Sequence, residues 1–273
     1  MRSIVVPVNF SPASNNAARY AADLATVIGG NLQLIHVLQM PFAALEYPTP
    51  DSAFEGLRES AVTQLKKLAA ELNKRTASRV QVEMDIEQGG VDYKVRKYCE
   101  EVKPFLVVMG SAGSPLDRFI AGSATLQTLR RLSYPLLVIP EGVQFEQPER
   151  ILLACDLEDI HSGMIGATGF LRELKDLFAA RFDVVNITTP AEEGQGELVY
   201  TYEARRAHMK EIFPELHFVH TYTVDKGIGE YLKDHPADWL IIFPKKHAFY
   251  ELHSSQAKKV VLHSPIPVMS IHE

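Results

Sequence analysis

Apolar and polar positions along this chain fall into two alternating periods. The run Ser3-Ile4-Val5-Val6-Pro7-Val8 is nearly unbroken and rich in β-branched residues, as expected of a strand covered by helices on both faces. Ser11 then offers an N-cap hydroxyl and Pro12 suits a first helical position, after which Ala17, Ala18, Ala21, Leu24, Ala25 and Ile28 recur at helical spacing. Gly29 and Gly30 stop that helix. The alternation continues with strands predicted at 32–37, 80–86, 105–109 and 136–139, and helices at 54–74, 93–102 and 123–132. Strands separated by helices need crossover connections, so the pattern predicts an α/β unit around a five-stranded parallel sheet.

After Pro140 a polar stretch, Glu141 to Pro148, reads as a connection between domains. The same grammar then restarts. Strands are predicted at 151–154, 183–187, 216–221, 239–243 and 268–271, and helices at 164–178, 203–213, 228–233 and 256–262. Two registers agree between the halves: Asn9 follows the first strand as Asp156 follows its counterpart, and Ser123 precedes Pro135 by 12 positions just as Ser255 precedes Pro267 by 12. The expectation is therefore two tandem domains, residues 1–141 and 149–273, with the second copy shortened in its connections. Pairing of the edge segments 136–139 and 268–271 within one chain would make an internal pseudo-dimer that buries both edges, and a homodimer remains open.

Composition narrows the partners. At 273 residues, 46% hydrophobic and 23% charged, the chain has ordinary globular make-up and length for two cores. A net charge of -6 supplies no basic footprint for DNA or RNA. Cys99 and Cys155 are too far apart in sequence for a redox or metal pair and read as small buried hydrophobes. Met1 to Val8 enters a strand pattern at once, with no export-signal pattern, and no run of about 18 apolar residues would span a bilayer. A cytoplasmic protein with no membrane partner is expected.

The segment with candidate chemistry is Met109-Gly110-Ser111-Ala112-Gly113 at the end of the fourth strand, followed by Gly122-Ser123 opening a helix. Gly110 and Gly113 let backbone amides approach a phosphate without Cβ interference. Gly122 and Ser123 place amides and a hydroxyl at a helix N-terminus, where the dipole favours an anion. The same residues also suit a plain strand-to-loop turn and a helix cap. Arg118 offers a bidentate donor to phosphate, or a surface ion pair with Asp117.

With Ile4 to Ser11, His36-Val37, Val107 to Gly113, Gly122-Ser123 and Tyr134 to Pro140 in place, the chain resembles the universal stress protein superfamily as a tandem two-domain member, with an adenine nucleotide alpha hydrolase-like, Rossmann-like fold. The resemblance implies that Gly110, Gly113, Gly122 and Ser123 hold the phosphates of ATP or another adenine nucleotide, with Mg accompanying it, that Val37 borders the adenine, and that Asn9 stands near the nucleoside. Two departures stand out. Eight residues separate Gly113 from Gly122, one fewer than the family's loop, and Asn9 replaces the family's usual Asp. The matching loop of the second half, Phe243 to Ser255, contains no glycine, while Asp156 restores the acid that Asn9 lacks.

Other features carry less. His247, His253, His263 and His272 match no chelating spacing, so no metal site is expected. Gly163, Gly166 and Gly169 recur inside a helical pattern and read as close helix packing. No catalytic elbow or Walker loop occurs, and no catalytic residue is assigned. Two functions follow: a regulatory stress-response protein that binds or senses an adenine nucleotide through its first domain, or a nucleotide-independent scaffold for an unidentified protein. Weak ATP hydrolysis would be incidental to either.

Overall fold

A computed structural model describes residues 2–39, 51–111, 132–155, 164–188, 216–243, 259–261 and 263–271. The chain divides into two units, Met1–Phe145 and Glu146–Glu273. In the first, β1 (Ser3–Pro7), β2 (Asn31–Leu38), β3 (Val82–Gln88), β4 (Leu106–Ser111) and β5 (Leu136–Pro140) lie in the order β3-β2-β1-β4-β5. Each neighbouring pair is parallel. Ile4, Val5 and Val6 are fully buried, which is why β1 reads as a continuous apolar run.

Helix α1 (Pro12–Ile28) begins where Ser11 Oγ accepts from Ser14 N at 3.2 Å and ends on Gly29, left-handed at φ 64. Its buried stripe is mostly alanine, so the helix axis can approach the sheet closely. Helix α2 (Asp51–Arg75) lies beside α1, and Arg75 grips Asp23 with two donors, at 2.8 and 2.7 Å. Helix α3 (Val91–Val102) covers the opposite face, where Tyr98 OH donates to Gln33 Oε1 on β2 at 2.7 Å. Burial is the main cause that pushes the Tyr98 phenol up to about 12, so it stays a donor throughout the physiological range.

The second unit repeats the order. β6 (Arg150–Ala154), β7 (Arg181–Thr188), β8 (Leu216–His220), β9 (Trp239–Ile242) and β10 (Val268–Ser270) lie as β10-β9-β6-β7-β8, with α4 (Met164–Phe178) and α5 (Val224–Asp234) among the described helices. Single backbone bonds recur as well. Asn31 N to Arg2 O returns as Arg181 N to Glu149 O, Phe105 N to Ser3 O as Asp238 N to Arg150 O, and Val107 N to Pro135 O as Leu240 N to Pro267 O. The predicted helices 123–132 and 203–213 lie outside the described residues, apart from Leu132, which is not helical. Of the predicted 256–262 helix, residues 259–261 are described and helical.

The close-packing reading of the α4 glycines is corrected at Gly169, where an added Cβ meets nothing within 4 Å. Gly169→Ala should therefore raise stability by about 0.5–1 kcal/mol, since glycine in a helix interior wastes backbone entropy. A denaturant midpoint that falls instead would show a hidden contact. At the amino ends of β6 and β7, Arg150 and Arg181 face each other in register, and Asp183 resolves the repulsion by accepting from both, at 2.8 and 2.9 Å. Burial penalises the Asp183 carboxylate, but these two bonds outweigh it and hold its pKa below the ordinary value. A lowered native pKa contributes stability above the unfolded pKa, and this is lost as pH falls through the folded value. Asp183→Asn should cost about 1 kcal/mol at pH 7, because both arginines remain partly solvated. Its stability should also fall less than the parent's between pH 6 and 3 in parallel denaturant titrations.

Candidate functional site

The chain runs from β1 outward to β2 and β3, then crosses back to β4, so the strand order reverses between β1 and β4. Open parallel sheets bind ligands at such a point, beyond the strands' carboxyl ends. Asn9 follows β1 there, Gly110 lies near the end of β4, Val37 near the end of β2, and the first turn of α1 begins alongside. Three of the predicted site residues thus come together. Gly113, Arg118, Gly122 and Ser123 lie outside the described residues, as does the second half's matching segment Phe243 to Ser255 apart from Phe243.

Asn9 is exposed, and its side-chain oxygen accepts from Ser11 N at 3.2 Å and Ser11 Oγ at 2.7 Å. Its backbone amide donates to Ser14 Oγ at 3.3 Å. The oxygen is therefore committed to the start of α1, and the amide nitrogen is the group left to meet a ligand. An Asp in this place would present a second acceptor to a hydroxyl, whereas Asn presents a donor. Charge repulsion toward a phosphate disappears with the carboxylate.

Val37 offers its backbone. Ile35 turns its carbonyl toward β1, accepting from Val8 N at 2.9 Å, while Leu38 turns its carbonyl toward β3, accepting from Gly89 N at 3.0 Å. By strand alternation the N–H and C=O of Val37 face the β1 side, one residue beyond that last bond and next to Asn9. A donor and an acceptor side by side suit the edge of a planar heterocycle.

At Gly110 the packing gives a reason for the missing side chain that is separate from approach to a phosphate. A Cβ there would overlap the carbonyl oxygen of Ala13 and stand 2.6 Å from its carbonyl carbon. The missing side chain makes room for the first turn of α1, so this glycine sets how near that helix N-terminus comes to the crevice.

Two residues of the site escaped sequence reasoning. Phe10, between Asn9 and Ser11, has the left-handed φ of 63, an outlier for a bulky side chain. Its ring stacks on His36 with centroids 4.5 Å apart, and His36 Nδ1 lies 2.7 Å from Val8 O. Only the strand register brings these groups together. In the second unit Cys155 and Asn186 occupy the matching end of β6 and β7, with Asn186 Nδ2 donating to Cys155 O at 3.1 Å; Asp156 is outside the described residues.

Neither cysteine is in a disulfide, and both are buried. Burial pushes the Cys99 thiol up to about 12, so it is no nucleophile at neutral pH. Among the described residues no three His, Cys, Asp or Glu side chains converge on a metal position, and no helix is long and apolar enough to cross a membrane.

Comparison with known proteins gives this geometry a context. Residues 1–140 match the model of the family described as the universal stress protein family. No curated protein matches the sequence. Among solved structures, a universal stress protein from Archaeoglobus fulgidus DSM 4304 is similar at 15% identity and a TM-score of 0.73, over 99% of this chain and 96% of that one. A functionally unknown protein from Pseudomonas aeruginosa PAO1 is similar at 15% identity and a TM-score of 0.63, over 100% of this chain and 92% of that one. At these identities the likeness is one of fold.

Proposed function

This chain belongs to the universal stress protein family, and on that premise we propose that its first unit binds an adenine nucleotide as a regulatory signal. The observation that carries the proposal is the outward-turned backbone edge of Val37 beside Asn9, at the sheet's switch point. Adenine meets that edge, and the Asn9 amide nitrogen donates to the ribose or the first phosphate. The phosphates then lie along the segment from Gly110 through Gly113 to Gly122 and Ser123, whose amides receive negative charge, with Arg118 as the neutralising cation and Mg as a companion. Binding regulates only if it favours one arrangement of the protein over another.

Titration of ATP into the purified chain by calorimetry, beside a Gly113→Val variant, tests this. A branched side chain in an amide cradle should weaken binding by roughly tenfold or more. Equal affinity in the two, or no heat in either, overturns the proposal.

A second reading has its own support: the Asn9 oxygen is spent on Ser11, and the second unit's loop has no glycine. In it the chain is a nucleotide-independent scaffold for another protein. Native mass spectrometry of the protein as isolated separates the two, because stoichiometric ATP or AMP excludes the scaffold reading.

A further inference from the structure

Val8 N donates to Ile35 O, so a parallel ladder running one step further would give Val8 O to the amide of Val37. That carbonyl accepts from the His36 ring instead, at 2.7 Å. A carbonyl only accepts, so Nδ1 carries the proton. The second unit does the same with different chemistry. Cys155 N donates to Val185 O at 3.1 Å, the next step would pair Cys155 O with the amide of Ile187, and Asn186 Nδ2 takes that carbonyl at 3.1 Å. An imidazole and a carboxamide share one register position and bond the same carbonyl. What each brings to that carbonyl is a side-chain donor at that reach.

We propose that His36 and Asn186 are positioning residues that end the ladder between the first two strands of each unit, keeping the backbone edge of the following residue turned to the crevice. Each occupies the carbonyl that would otherwise draw in Val37 or Ile187. The occupant served is a planar group presenting a donor beside an acceptor, as a nucleobase edge does. In the first unit Phe10 completes the device, because its ring stacks on the imidazole with centroids 4.5 Å apart and so helps to fix the plane of the donor. The claim about the ligand rests on the nucleotide reading above; the ladder-ending itself does not.

Amide hydrogen exchange of the full chain, followed by NMR, and ATP affinity are measured for His36→Leu, His36→Asn and Asn186→His. Without a donor, Val8 O is expected to pair with Val37, slowing exchange of the Val37 amide by roughly tenfold, the effect of about one hydrogen bond gained. ATP affinity should fall by a similar factor. His36→Asn, which copies the second unit, should keep both values within about threefold, and Asn186→His should leave exchange at Ile187 alike. Unchanged Val37 exchange in His36→Leu overturns the proposal, as does His36→Asn behaving like the leucine variant. Should His36→Leu not fold, the two swaps decide: preserved exchange supports the assignment and altered exchange ends it. If the parent protein binds no ATP, the nucleotide reading fails while the exchange arm still judges the strut.

Discussion

Gly110→Ala should lower the unfolding free energy by about 3 kcal/mol, the upper range for forcing a methyl group into a filled site. The added carbon overlaps the Ala13 carbonyl oxygen, stands 2.6 Å from the Ala13 carbonyl carbon and 3.2 Å from Ser14 N. All three are backbone atoms in the first turn of α1, so no rotamer change relieves the contact. The helix start must lift from β4, and with it move Ser11 and the cap it shares with Asn9. Gly169→Ala is the matched control, since the same chemical change in open helix surroundings should shift the midpoint the other way. If both variants unfold at the same denaturant concentration, the close approach of α1 to β4 is wrong.

These two glycines also show where sequence reasoning stops. Gly110 is legible in the sequence as a residue that lets amides approach a phosphate, while its packing role depends on a helix nearly a hundred positions earlier in the chain. Gly169 was read as a packing glycine and faces open space. The sequence pattern predicts a helix only from Ile228, whereas the helix begins at Val224 and contains Gly227, on which an added Cβ would meet Thr221 Cγ2 at 2.6 Å. One residue type, three causes, and only spatial neighbours tell them apart. The sequence pattern predicts a strand from Val80, which is apolar and buried, yet the register of β3 with β2 starts at Leu32 and Val82. By contrast β1, α1 and its caps follow from local chemistry alone, and the parallel pairing of the strands follows from the alternation of elements, while their order is visible only in the structure.

The candidate site divides in the same way. Asn9 and Val37 were legible through the family resemblance, whereas the commitment of the Asn9 oxygen to Ser11 and the His36–Val8 bond required a register and a left-handed Phe10. The offset linking Asn9 to Asp156 also links Val8 to Cys155, and there it reappears as matching backbone bonds, Val8 N to Ile35 O and Cys155 N to Val185 O. Spacing in sequence and bonding in space thus give the same alignment of the two units.

The second unit's stability should hinge on Trp239, the chain's one tryptophan. It stands on β9 at 1% exposure, with the Phe178 ring of α4 edge-on at 5.3 Å and 71°, the geometry favoured by opposed ring quadrupoles. Trp239→Ala removes the largest side chain of that core and leaves a cavity that rigid strands cannot close. A loss of about 4 kcal/mol is expected, a large share of what holds an ordinary domain together. Circular dichroism must follow this variant, since it has no indole left. Phe178→Leu keeps the reporter and should cost about 1–2 kcal/mol, from lost ring contact and volume. Tryptophan emission in that variant should shift from a buried to a solvated wavelength at lower denaturant than in the parent. A parent protein whose emission is already that of a solvated indole before denaturant is added would refute the packing of β9 against α4.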